Sequence, residues 1–192
     1  PVISASIYWA IGYHHWVLVL TQVILSSLVA VLACQLTRWV MDCPIVALVA
    51  GLLIALHPGL ILYSFKLHPL FLDSFLFIAV VSCIVYYGKR PSASNALAIG
   101  ITTGLCFLTR PTILVIFPLI MLWSWWVKQE QFRYLTLILV TAIAIGGSWT
   151  ARNYSVHGIF MLMRSTTSFV FWLGNNPDST GAAVDAGGGI ST

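Results

Sequence analysis

Residues 17–37 read VLVLTQVILSSLVAVLACQLT, an apolar run without a single charged side chain. A straight helix needs about 20 predominantly apolar residues to cross the hydrocarbon of a bilayer. The run therefore decides the fold class, because its length and composition fit a membrane-crossing helix. Five further apolar runs follow, at residues 45–63, 70–87, 96–108, 112–127 and 134–149. The third of the six meets the spanning length as comfortably as the first. The fourth and fifth are short and separated only by Thr109-Arg110-Pro111. They read either as two spans joined by a tight turn or as one re-entrant hairpin. Pro111 disfavours helical geometry at Arg110 and suits the start of a following helix, which favours two spans lengthened by flanking polar residues such as Ser92–Asn95. The expected architecture is all-α: a polytopic transmembrane helix bundle of about six spans over residues 17–149. The end of an extracytoplasmic loop (1–16) precedes it, and the start of an extracytoplasmic domain (150–192) follows.

Composition agrees. The 192 residues are 59% hydrophobic and 7% charged, with mean hydropathy +0.95. Soluble domains carry about 25% charged residues to face water. The net charge of +4 comes from basic residues scattered singly or in pairs, without the stripe that tracks a phosphate backbone, so nucleic acid is not an expected partner. Cys34, Cys43, Cys83 and Cys106 show no C-x-x-C spacing and mostly sit within apolar runs, as buried thiols do. The sequence opens on Pro1 without a signal peptide and closes on Gly187-Gly188-Gly189-Ile190-Ser191-Thr192. Both ends read as cut, and a fragment is expected.

Alternation of the runs sorts the cations. Arg38, Lys89, Arg90, Lys128 and Arg133 fall on one side, in plain polar connectors. Lys66, Arg110, Arg152 and Arg164 fall on the other, among Pro, His, Trp and Asn. The first side is expected to be cytoplasmic and the second, richer in chemistry, extracytoplasmic. Gly100-x-x-x-Gly104, with Ala96 one turn earlier, makes a small-residue face that predicts close helix packing within the bundle. Pro118 predicts a kink in the fifth span. Trp123, Trp125 and Trp126 fit an aromatic belt at the cytoplasmic interface, and Trp149 and Tyr154 one at the other.

No nucleotide loop, dinucleotide fingerprint, H-E-x-x-H or G-x-S-x-G occurs. Polar residues of the second side carry the candidate chemistry, in three groups. The first is His57-Pro58 with Lys66, His68, Pro69 and Asp73. Lys66 reads either as a snorkelling span end or as a ligand, and Asp73, deeper in its run, needs a partner or a wet cavity. The second is Leu108-Thr109-Arg110-Pro111-Thr112, whose guanidinium fits phosphate oxygens or a structural ion pair with Asp73. The third is Trp149–Tyr154, followed by Trp172-Leu173-Gly174-Asn175-Asn176-Pro177. Trp beside Asn suits carbohydrate, with indole on C–H faces and amides on hydroxyls, and equally suits a turn with an interfacial anchor.

In this order and on one face, the three groups resemble the C-type integral-membrane glycosyltransferases that use polyprenyl-phosphate sugars. The likeness is to the bacterial branch related to protein O-mannosyltransferases and the lipid A aminoarabinose transferase. It rests on Ala55-Leu56-His57-Pro58 with residues 67–75, Gly104–Pro111, Trp149–Tyr154 and Trp172–Pro177, and covers nearly the whole chain. Two departures stand out: Asp73 occupies the place of a family Glu, and Thr167-Ser168-Phe169 stands where relatives have a Gly pair. The resemblance implies inverting transfer from a polyprenyl-phosphate sugar donor to a lipid, glycan or protein acceptor at the extracytoplasmic face of a membrane, in all expectation the bacterial plasma membrane. It implies a catalytic acid upstream of Pro1, phosphate contact by Arg110 and then Lys66, and an orienting role for Asp73. His68, Arg152, Asn153, Asn175 and Asn176 complete the implied substrate-binding set. A divalent cation stays open as cofactor, since no ligand set points to one. The rival reading is a transporter or flippase-like bundle in which Asp73 and Arg110 form a charge pair on a pathway. A membrane scaffold without catalysis is the third.

Overall fold

A computed structural model describes residues 2–64, 66, 70–109, 113, 118, 122, 134–158, 160, 171–172 and 175. Among them the long elements are seven helices, and no strand occurs: α1 Val2–Ile11, α2 His15–Met41, α3 Pro44–Ala55, α4 Pro58–Ser64, α5 Leu70–Lys89, α6 Ala93–Thr109 and α7 Leu135–His157. The chain forms two compact units, residues 1–146 and 147–192.

Three helices, α2, α5 and α7, are long and apolar enough to cross a membrane. The count reaches four if α3 and α4, bent by 45°, are one broken span. The sequence predicts about six. The second run divides at Leu56-His57, the fourth becomes the 17-residue α6, and most of the fifth, with Trp123, Trp125 and Trp126, lies outside the described residues. Residues 1–16, expected as loop, carry α1, which Gly12 ends in left-handed geometry (φ +90°) with its N–H donating to the Tyr8 carbonyl at 3.0 Å. Outward-facing apolar side chains such as Leu20, Ile24, Leu48 and Leu53 stay exposed, as helices facing lipid require.

Local chemistry fixes the helix ends. Asp42 adopts φ +50° and its N–H returns to the Arg38 carbonyl, stopping α2, and Pro44 starts α3 at the first position where a missing N–H costs nothing. The Ser92 hydroxyl accepts the Asn95 N–H at 3.2 Å, capping α6.

Two ties fix the direction of the bundle. At the α2 N-terminal half, the buried Gln22 amide, turned so that its nitrogen faces two carbonyls, donates to Ser64 O (2.7 Å) and Lys66 O (3.1 Å). At the α2 C-terminal end, Lys89 Nζ donates to Trp39 O at 2.7 Å. From Gln22 to Trp39 is roughly 26 Å of helix at 1.5 Å per residue. Helices α3 and α4 together therefore return along α2, and α5 runs parallel to it. Helix α6 is antiparallel to α5: Ala96 packs near Tyr87, whereas Cys106 packs with Leu76 and Val80.

The small-residue face of α6 packs within the chain, as its spacing predicts. A Cβ on Gly100 would lie 2.7 Å from Thr141 Cβ, and one on Gly104 would lie 2.8 Å from Ile145 Cβ. Those partners ascend α7 in the order in which the glycines ascend α6, so the two helices are parallel over this stretch.

Candidate functional site

Of the first polar group, Lys66 follows the end of α4 and Asp73 lies in the first turn of α5. His57 sits at the α3–α4 break, and its Nδ1 accepts the Leu60 N–H at 3.4 Å while its carbonyl accepts the Ile61 N–H. With Pro58 at the first helical position, His57 works as the cap of α4. Gly59 makes room for it: a Cβ there would meet the imidazole at 2.9 Å. Ser64, buried at the end of α4, donates its hydroxyl to Leu60 O at 2.7 Å.

Lys66 is exposed, and its Nζ lies 5.8 Å from the centre of the Tyr63 ring. Its backbone carbonyl is held by Gln22. The ammonium thus reaches water from an anchored backbone, which fits a snorkelling span end and equally leaves it accessible to an anion. His68 lies outside the described residues.

Asp73 is 7% exposed in the first turn of α5, where the free N–H groups of a helix start favour negative charge. Its face of α5 continues through Leu76 and Val80, which pack against Cys106 of α6 and Ile113. The buried carboxyl therefore belongs to the end of the α5–α6 pair where Thr109 closes α6, its hydroxyl donating to Cys106 O at 2.9 Å. Arg110 itself lies outside the described residues.

The remaining site residues belong to the second unit. Arg152, on the last turns of α7, is exposed, with Cζ 5.0 Å from the centre of the Trp149 ring. Its Nη1 reaches Asn153 Oδ1 at 3.5 Å, the long limit of a hydrogen bond. Asn153 is buried at 5% exposure. Asn175, exposed, donates Nδ2 to Phe171 O at 2.7 Å, four residues back in the chain. Asn176 lies outside the described residues.

The sequence reading missed Gln22. Its signal was available: an amide inside an apolar run must find polar partners, because hydrocarbon offers none. No group of three His, Cys, Asp or Glu side chains lies together among the described residues. No family model, curated protein or solved structure matches the chain.

Proposed function

We propose that this chain belongs to a membrane glycosyltransferase that moves a sugar from a polyprenyl-phosphate donor to an extracytoplasmic lipid, glycan or protein acceptor. The observation that carries the reading is the buried Asp73 carboxyl at the α5 start, at the end of the bundle where α6 hands over to Arg110-Pro111. A buried carboxyl near a span end suits a polar pocket for a charged headgroup, and the proposal adds to it Arg110, the residue that follows α6 in the sequence. In the proposed reaction the acceptor oxygen or nitrogen attacks the anomeric carbon, the carbon–phosphate-oxygen bond breaks, and a general base takes the acceptor proton. Arg110 neutralises the leaving phosphate with its fork of donors, and Lys66 supports it from the exposed side. Asp73 orients a cation or a sugar hydroxyl. His68, Arg152, Asn153, Asn175 and Asn176 are the further proposed substrate contacts.

The six-span topology is part of this proposal. Its support is that Thr109 and Tyr134 lie at opposite ends of the first unit, Tyr134 packing edge-on against Tyr87 at 6.3 Å. The test is donor-dependent transfer by the intact protein in lipid nanodiscs. Arg110→Ala is expected to lower donor use by about 10²–10³-fold, the scale of losing one transition-state charge contact. Asp73→Asn is expected to lower it less, and Lys128→Ala to leave it unchanged. Equal effects of Arg110→Ala and Lys128→Ala would move the site elsewhere.

The break at His57-Pro58 favours a second reading. Discontinuous helices mark substrate sites in transporters, and α3–α4 is one by its 45° bend. Movement of a polyprenyl-phosphate sugar between leaflets of a proteoliposome without chemical transfer would favour that reading.

A further inference from the structure

An open groove of about 470 Å³ runs between α2, α5 and α6. Leu28, Leu32, Phe75, Ala79 and Ala98 make its apolar walls, and Trp39, Tyr86 and Asn95 close one end. That end is the opposite one from Lys66 and Asp73, because Lys89 Nζ bonds Trp39 O there. We propose that the groove holds one anionic phospholipid of the surrounding bilayer. Its acyl chains lie along the apolar walls and its phosphate lies among Arg38, Lys89 and Arg90.

Charge and register carry the assignment. Arg38 adjoins Trp39, Lys89 is tied to the Trp39 carbonyl, and the Arg90 carbonyl accepts from Asn95 Nδ2 at 2.7 Å. All three cations therefore stand within one residue of atoms that line or fasten the closed end. All three are exposed. Of the two described carboxylates, Asp42 and Asp73, only Asp42 lies at this end. The Trp39 and Tyr86 rings, 5.4 Å apart and tilted, suit the headgroup level, where indole and phenol rings concentrate. Lipid tails are as apolar as leucine, so the walls alone give no preference over bulk lipid. Cations between helices do, by recognising an anionic headgroup. The bonds that Lys89 and Asn95 make to carbonyls hold the site in shape before a lipid arrives.

The test is native mass spectrometry of the full chain released from nanodiscs made of equal parts phosphatidylcholine and phosphatidylglycerol. One phosphatidylglycerol is expected to stay bound in preference to phosphatidylcholine. A cation near the membrane surface changes the affinity of an anionic lipid roughly fivefold, so Arg38→Gln with Arg90→Gln should cut the enrichment about 25-fold. Ala79→Phe with Ala98→Phe, which fills the groove and keeps the cations, should abolish retention. Arg90→Gln alone sits in an exposed connector and carries the charge test if the double variant unfolds. Ala98→Phe alone does the same for the groove. Equal retention of the two lipids would overturn the proposal. So would undiminished enrichment in the groove-filled variant, which would leave only surface attraction. Displacement of the bound phosphatidylglycerol by an equal amount of polyprenyl phosphate would reassign the groove to the lipid carrier.

Discussion

Gln22 shows how one polar side chain in an apolar helix can organise a site that no motif announces. It is 5% exposed and serves two carbonyls, those of Ser64 and Lys66. Hydrogen bonds between membrane helices average only about 0.6 kcal/mol, so Gln22→Leu should destabilise the fold by roughly 1–2 kcal/mol rather than unfold it. Thermal unfolding in detergent, followed by circular dichroism, reads that shift, and proteolysis near Lys66 should accelerate in parallel. An unchanged melting profile would mean that the two carbonyls have other partners. Asp73 and Lys66 were legible in the sequence because charges in a chain with so few of them stand out. Gln22 was not, because one amide among apolar neighbours does not interrupt a hydrophobic run. His57, a candidate for chemistry by its place in the sequence, caps α4, a role set by the local geometry of Pro58 and Gly59 rather than by residue type.

At the level of the element, hydrophobic runs located the helices well. The runs at 17–37 and 70–87 sit inside α2 and α5, and the run at 134–149 sits inside α7 but for its first residue, Tyr134. The break in the second run was harder to read, because Pro58 belongs equally to a kinked span and to a new helix, and the structure joins the two: His57 caps a new helix start inside a pair that can form one broken span. Helix α1 escaped because its apolar stretch is too short to suggest a span. The glycines separate into two kinds that sequence alone does not distinguish. Gly100 faces the Thr141 side chain and the Ile138 carbonyl, with a Cβ clash at 2.9 Å against the latter, which cannot rotate away. Gly88, in the last turn of α5, has nothing within 4 Å of an added Cβ. Gly100→Ala should therefore cost about 1–3 kcal/mol by forcing α6 and α7 apart. Gly88→Ala should add about 0.4–1 kcal/mol by restricting the unfolded chain. Unfolding of both variants in mixed micelles checks the opposite signs. Equal destabilisation would show that the α6–α7 approach is looser than the glycine spacing requires.

For the whole molecule, direction along the bundle constrains how often the chain changes sides. The Gln22 and Lys89 ties make α2 and α5 parallel, so α3 and α4 must return the chain between them. Helix α6 runs back, and α7 runs parallel to α6 from Tyr134 near Tyr87. Two parallel helices joined in sequence need a connection that covers their length, and residues 110–133 include the apolar run 112–127. The proposed topology puts a further crossing there, which is what would bring the three or four spans of the described residues toward the six that the run count predicts. The cation partition points the same way, since Arg38, Lys89 and Arg90 meet at one end while Lys66 lies at the other. The proposed orientation, resting on the positive-inside tendency, puts the first end in the cytoplasm. Reporter fusions after Gly88 and Gln129 should therefore report the cytoplasm, and fusions after Pro111 and Ser179 the opposite side. A fusion after Pro111 that shares the side of Gly88 would make α6 and the following run a re-entrant pair. That outcome would cut the crossings to four and move Arg110 away from the face assigned to it, and the phosphate role proposed for its guanidinium would fall with the topology.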